Sequence, residues 1–161
     1  MLFRSLILTP SEHTQHDDFI NLARFWEELG MNVFSLPGET HDRILARTSH
    51  LPHFLSVMLA NTLSPENVDF CGSGFHSMIR LANGETTVWL DIAETNRENI
   101  LDAMDEFQIQ FEQVRNAIEK GDRVSLSTLL QSIAKGGFHS SEKTDIIEKI
   151  LFRSPLQEKP S

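Results

Sequence analysis

Tyrosine is absent from the 161 residues, cysteine occurs once and glycine only eight times. The lone Cys71 excludes an internal disulfide and a thiolate zinc cage within one chain. No run of about eighteen apolar residues exists, and Met1 to Leu8 offers only a short apolar stretch without a small-residue cleavage site. Positive charge is scarce as well. Fourteen Lys and Arg stand against 23 Asp and Glu, a formal charge of −9, and no basic run is present to neutralise a phosphate backbone. Neither nucleic acid nor a membrane is expected as a partner, and a cytoplasmic location is. The length excludes two full domains. What is there suffices for a core: 40% of the residues are hydrophobic, and eleven Phe and two Trp carry the aromatic packing.

Ser5 to Leu8 reads as a buried strand stopped by Thr9-Pro10. From about Thr14 to Leu29, Phe19, Leu22, Ala23, Trp26 and Leu29 recur at helical steps, with Gly30 as the C-cap. Met31 to Leu36 reads as a second strand, closed by Pro37-Gly38. Strand, helix, strand in that order implies a parallel crossover. Two parallel strands alone leave edges and faces uncovered, so the unit is physically incomplete.

Beyond Gly38 the chain reads as helix throughout, which makes the fold class mainly α, preceded by a short βαβ unit. One helix is expected from Glu39 to about Leu63, capped by Thr40 and kinked at Pro52. Ser64 to Asn67 reads as a turn, and Cys71 to Gly74 as a flexible loop entering a short helix through Arg80 and Ala82. From about Thr86 to Lys120 a seven-residue register of Ala93/Arg97, Ile100/Met104, Phe107/Phe111 and Val114/Ile118 predicts one long helix. At about 1.5 Å per residue it would run to about 50 Å, more than a small domain needs, which implies a homodimer through the long helices. Asp122 is expected to cap a shorter helix ending at Gly136-Gly137, Ser140 or Ser141 a last one through Leu151, and residues 153–161 form a disordered tail.

Three groups of residues invite a chemical reading. Ser49-His50-Leu51-Pro52-His53 puts two imidazoles on one helix face beside a proline that frees a backbone carbonyl. They form either part of a polar ligand pocket or a pair of hydrogen-bonded interior histidines. Neither this pair nor His13/His16 has the further ligands a metal site needs, so no metal is expected. Gly72-Ser73-Gly74-Phe75-His76-Ser77 is not a dinucleotide loop, because Ser77 occupies the third glycine position and no strand precedes it. It leads to Arg80, a planar fork suited to a carboxylate or paired with a local acid, and then to Trp89, an apolar wall. The acids Asp91, Glu94, Glu98, Asp102, Asp105 and Glu106 read as a solvated helix face.

Taken together, Glu39-Thr40-His41-Asp42, Ser49-His50-Leu51-Pro52-His53, Gly72-Ser73-Gly74-Phe75, Ile79-Arg80-Leu81-Ala82, Val88-Trp89-Leu90-Asp91-Ile92 and Asn96 resemble the C-terminal half of prephenate dehydrogenases, in order and spacing, over about residues 39 to 120. The resemblance implies NAD- or NADP-dependent oxidative decarboxylation of prephenate or arogenate on the route to tyrosine. It further implies a Rossmann domain that carries the dinucleotide and a catalytic histidine, and a helical domain that makes the homodimer and part of the substrate pocket. Residues 1–38 would then be the end of the nucleotide-binding domain, 39–152 the helical dimerisation and substrate-binding domain, and 153–161 the tail. By motif, Ser49, His53, Ser73, Arg80 and Trp89 would be substrate-binding, Arg80 holding a carboxylate and Trp89 walling the ring, with His50 and Pro52 as structural support. Ser73 stands where the family commonly has glycine, and His76-Ser77 where it has a basic residue then an acid. The first narrows a site where backbone approaches ligand, and the second removes an acidic partner.

No residue of this chain matches the dinucleotide fingerprint or the catalytic histidine region, so no cofactor and no catalysis are expected of the chain alone. The alternative is a stand-alone dimerisation or metabolite-binding regulatory module without redox activity.

Overall fold

The computed structural model describes residues 5–135. The helix start expected at Ser140 or Ser141, the stop at Gly136-Gly137 and the tail lie outside the described residues. The elements run β1 (Ser5–Leu8), α1 (His16–Glu28), β2 (Asn32–Ser35), α2 (Gly38–Leu45), α3 (Leu51–Asn61), α4 (Ser73–Ile79), α5 (Thr86–Thr95), α6 (Arg97–Glu119) and α7 (Arg123–Lys135), with short 3-10 turns at Pro65–Phe70 and Arg80–Ala82. The fold is mainly α, and its described strands form one two-stranded parallel sheet in which Ser5 faces Asn32 and Leu8 faces Ser35. That is the strand, helix, strand unit predicted above.

Contacts among the described residues divide the chain into two compact units, one holding residues 5–38 with 110–135, the other Glu39–Ile109. In the first, Gly30 at φ 80° ends α1, with its N–H on the Glu27 carbonyl and the Met31 N–H on that of Trp26. Gly121 at φ 63° repeats the motif at the end of α6, its N–H on Ile118 and that of Asp122 on Ala117. Both glycines adopt the left-handed conformation that a Cβ disfavours. Asp122 then opens α7 as predicted: Oδ1 accepts from the N–H groups of Val124 and Ser125, and Oδ2 from the Ser125 hydroxyl at 2.6 Å.

In the second unit Ala46, Ile100 and Ala103 form the buried core, packed by Leu51, Phe54, Ile92 and Met104. The alanines have no side chain beyond Cβ, which lets α6 approach the turn that follows α2. Arg47 clamps the same contact from outside, its Nε donating to Glu106 Oε2 at 2.9 Å and Nη2 to Oε1.

Four expectations need correction. The helix from Glu39 to Leu63 begins earlier, at Gly38 rather than after a Thr40 cap. It is also interrupted by a π turn at Ala46–His50. Pro52 has no N–H to give the turn before it, and the wider turn closes with the Leu51 N–H on the Ala46 carbonyl. Ser73 and Gly74, expected in a loop, are the first residues of α4. The long helix from Thr86 to Lys120 is two helices that break at Asn96, where φ is −113° and ψ 29°. A periodic apolar pattern does not register one buried polar residue that bonds away from its own helix, and Asn96 is such a residue.

Candidate functional site

The expected site residues fall in the second unit, on the π turn, α3, α4, the 3-10 turn that follows it, and α5. His53 is buried in the first turn of α3, and its Nδ1 lies 2.7 Å from the Leu81 carbonyl oxygen. A carbonyl only accepts, so Nδ1 carries the hydrogen and the neutral ring keeps its lone pair on Nε2. The indole of Trp89 lies flat on this imidazole, with centroids 3.4 Å apart and planes within 4°. His50 and Phe54 meet the indole edge-on at 6.1 and 5.9 Å. One aromatic cluster thus joins both histidines of the SHLPH string to Trp89, as their three-residue spacing on one face requires.

Ser56, one turn beyond His53, is buried and donates to the Met78 carbonyl in the last turn of α4 at 2.9 Å. Together with the bond from His53 to Leu81, this pins the segment that carries Arg80 against α3. Arg80 itself is exposed at the start of the 3-10 turn, and its guanidinium forms no ion pair among the described residues. The local acid weighed as its partner is therefore not in contact. Ser49 on the π turn and Ser73 at the head of α4 are exposed, and among the described residues neither side chain is tied to the aromatic cluster. Pro52 occupies the first turn of α3.

Two residues in this region carried no chemical reading in the sequence. A Cβ built on Gly84 would overlap the Trp89 ring at Nε1 and Cδ1 and come within 3.3 Å of His53 Cε1. Gly84 does not have a positive φ, so space for the indole, and not backbone freedom, excludes a side chain here. The second is Asn96, buried between the end of α5 and the start of α6, whose Nδ2 lies 2.8 Å from the Asp42 carbonyl and 3.2 Å from His50 Nδ1. Its sequence signals are an asparagine set inside a heptad pattern and its place in the family resemblance. Gly84 has none, because the close approach arises only when α3 and α5 meet.

Burial holds the His50 pKa below its ordinary value, with the neighbouring His41 adding to the effect and Asp42 opposing it. Arg47 lowers the Glu106 carboxyl by hydrogen bonding. Among the described residues no group of three or more His, Cys, Asp or Glu is placed to hold a metal, and no helix is long and apolar enough to cross a membrane.

Residues 37–132 match the family described as prephenate dehydrogenase, dimerization domain. The cyclohexadienyl dehydrogenase of Zymomonas mobilis is 32% identical over 124 residues, which cover 73% of this chain and 42% of that protein. The prephenate dehydrogenase of Bacillus subtilis is 28% identical over 126 residues, 74% of this chain and 34% of that one. Among solved structures, prephenate dehydrogenase from Aquifex aeolicus in complex with hydroxyphenyl propionate and NAD+ is similar with a TM-score of 0.72 at 27% identity, covering 88% of this chain and 50% of its own. Arogenate dehydrogenase from Synechocystis shares the fold, with a TM-score of 0.68 at 22% identity over 92% of this chain and 54% of its own. The chain thus spans less than half the length of these curated relatives and about half that of the solved ones. With the family's dimerization domain matched over more than half of its residues, the chain belongs to the prephenate dehydrogenase family.

Proposed function

We propose that this chain is the dimerisation and substrate-binding portion of an NAD-dependent dehydrogenase that decarboxylates prephenate or arogenate oxidatively. Residues 1–38 are then the end of the nucleotide-binding domain and 39–152 the helical domain. The observation that carries the reading is the His53–Trp89 stack, pinned to Leu81 next to an Arg80 that no acid among the described residues neutralises. A flat indole offers an apolar wall to a six-membered ring, and the guanidinium offers a two-point contact to a carboxylate. His53 Nε2, which has no partner among the described residues, can accept from a hydroxyl or, when protonated, donate to an oxyanion. On this reading the exposed Ser49 and Ser73 add hydroxyls to the substrate's surroundings.

The described residues do not fit the dinucleotide itself. The first helix after a strand, α1, is entered without glycine through Gln15 and carries Asp17 and Asp18 in its first turn, where a pyrophosphate would meet negative charge. Hydride transfer therefore belongs to groups outside these residues, and this chain binds and orients.

Hydroxyphenyl propionate, the molecule bound by the Aquifex enzyme, combines an aromatic ring with a carboxylate and is the probe for calorimetric titration. Arg80→Ala is expected to weaken its binding about tenfold to a hundredfold, the loss of a charge-assisted contact of about 1.5–3 kcal/mol. Arg80→Lys should recover only part, since it keeps charge and loses the planar fork. Unchanged affinity in Arg80→Ala with a lowered melting temperature would remove Arg80 from the site.

A further inference from the structure

Asn96 has three hydrogen-bonding valences in use. Its Nδ2 faces the Asp42 carbonyl at 2.8 Å and His50 Nδ1 at 3.2 Å, while its Oδ1 accepts from Asn99 Nδ2 at 2.8 Å. The amide cannot be turned around, because its oxygen would then face a carbonyl that only accepts. Both Nδ2 hydrogens are therefore committed, one to Asp42 and one to His50, and His50 Nδ1 must be the bare acceptor. We infer that Asn96 is a positioning residue that locks His50 in the Nε2–H tautomer and holds its ring edge-on to Trp89.

The two histidines of the SHLPH string are consequently fixed in opposite tautomers: Nδ1–H in His53, held by the Leu81 carbonyl, and Nε2–H in His50, held by the Asn96 amide. Among the described residues no buried side-chain nitrogen or oxygen lacks a partner. His50 Nε2–H bonds to none of these residues and is the donor His50 has left to offer a ligand. A proton added to Nδ1 would confront the Asn96 N–H with a second donor. The charged groups acting on His50 are His41 and Asp42 of α2, themselves paired at 2.9 Å, while its contacts with α5 and the α5–α6 junction are the uncharged Trp89 and Asn96. The same junction explains why the helix breaks here although the heptad pattern continues: Asn96 bonds across to α2 and the π turn.

The test is the nitrogen-15 NMR of the histidine rings in the 161-residue chain, which needs no ligand and is independent of the proposed substrate. The wild type is expected to show His50 with a pyridine-type Nδ1 and a pyrrole-type Nε2 above its titration midpoint. Asn96→Asp places an acceptor opposite Nδ1, so the tautomer should invert and the midpoint rise. Asn96→Ala should leave the two tautomers mixed and alter Trp89 fluorescence. A wild-type His50 that is Nδ1–H or a mixture overturns the inference even if no variant folds, and so does Asn96→Asp with tautomer and midpoint unchanged.

Discussion

Trp89 lies flat on His53 because position 84 has no side chain, and this makes Gly84 the sharpest point for a substitution. Gly84→Ala should displace the indole, changing the emission of Trp89 in a Trp26→Phe background, at a cost of about 1–3 kcal/mol from overpacking. If emission and melting temperature both stay unchanged, the close approach does not govern the stack. His50 adds a dependence on pH. Its folded-state pKa is depressed, so the neutral ring stabilises fully above the ordinary histidine value of 6.5, and that contribution is lost as pH falls from there through the lower folded-state value. The melting temperature should decline over that interval, and less steeply in His50→Gln; equal slopes would assign the decline to other groups.

Among the elements, α7 depends most visibly on one cap. The Ser125 hydroxyl and backbone bonds hold the Asp122 carboxyl below its usual range, so the capped start of α7 is secure above that range and loosens as pH falls through the depressed value. Asp122→Ala should speed amide exchange at Val124 and Ser125 at neutral pH, and Asp122→Ser should restore much of the protection. Exchange unaltered in the alanine variant would mean the cap contributes nothing. The π turn before Pro52 belongs to the same level of organisation, since its extra residue sets where His50 lies relative to His53 and thus lets both reach Trp89.

At the scale of the whole molecule, the described residues leave much apolar surface uncovered. Ile118 is 63% exposed, Val124 78% and Leu130 69%, far more than a chain that remains alone in water leaves on adjoining helices. A homodimer through α6 and its neighbours is expected, read by light scattering as twice 18.3 kDa at micromolar concentration. Ile118→Glu should shift the equilibrium toward monomer. A monomeric wild type at that concentration would refute the assembly. The same chain should show no measurable NAD binding by calorimetry, because α1 begins with aspartates and no glycine turn. Micromolar affinity would overturn that expectation.

Sequence alone determined the mainly α class, the parallel β1–β2 pair, the Gly30 stop and the Asp122 cap, because each depends on residues near one another in the chain. It also determined the family, through the SHLPH string with the Arg80 and Trp89 that follow. Tertiary structure decided the rest. The break at Asn96 depends on a carbonyl of α2 54 residues away. The stack of His53 on Trp89, the space kept by Gly84 and the tautomer of each histidine exist only once α3 and α5 meet. Helical period records which residues share a face; it does not record which polar atom on the opposing element will claim a hydrogen bond, and at this site those bonds set the geometry.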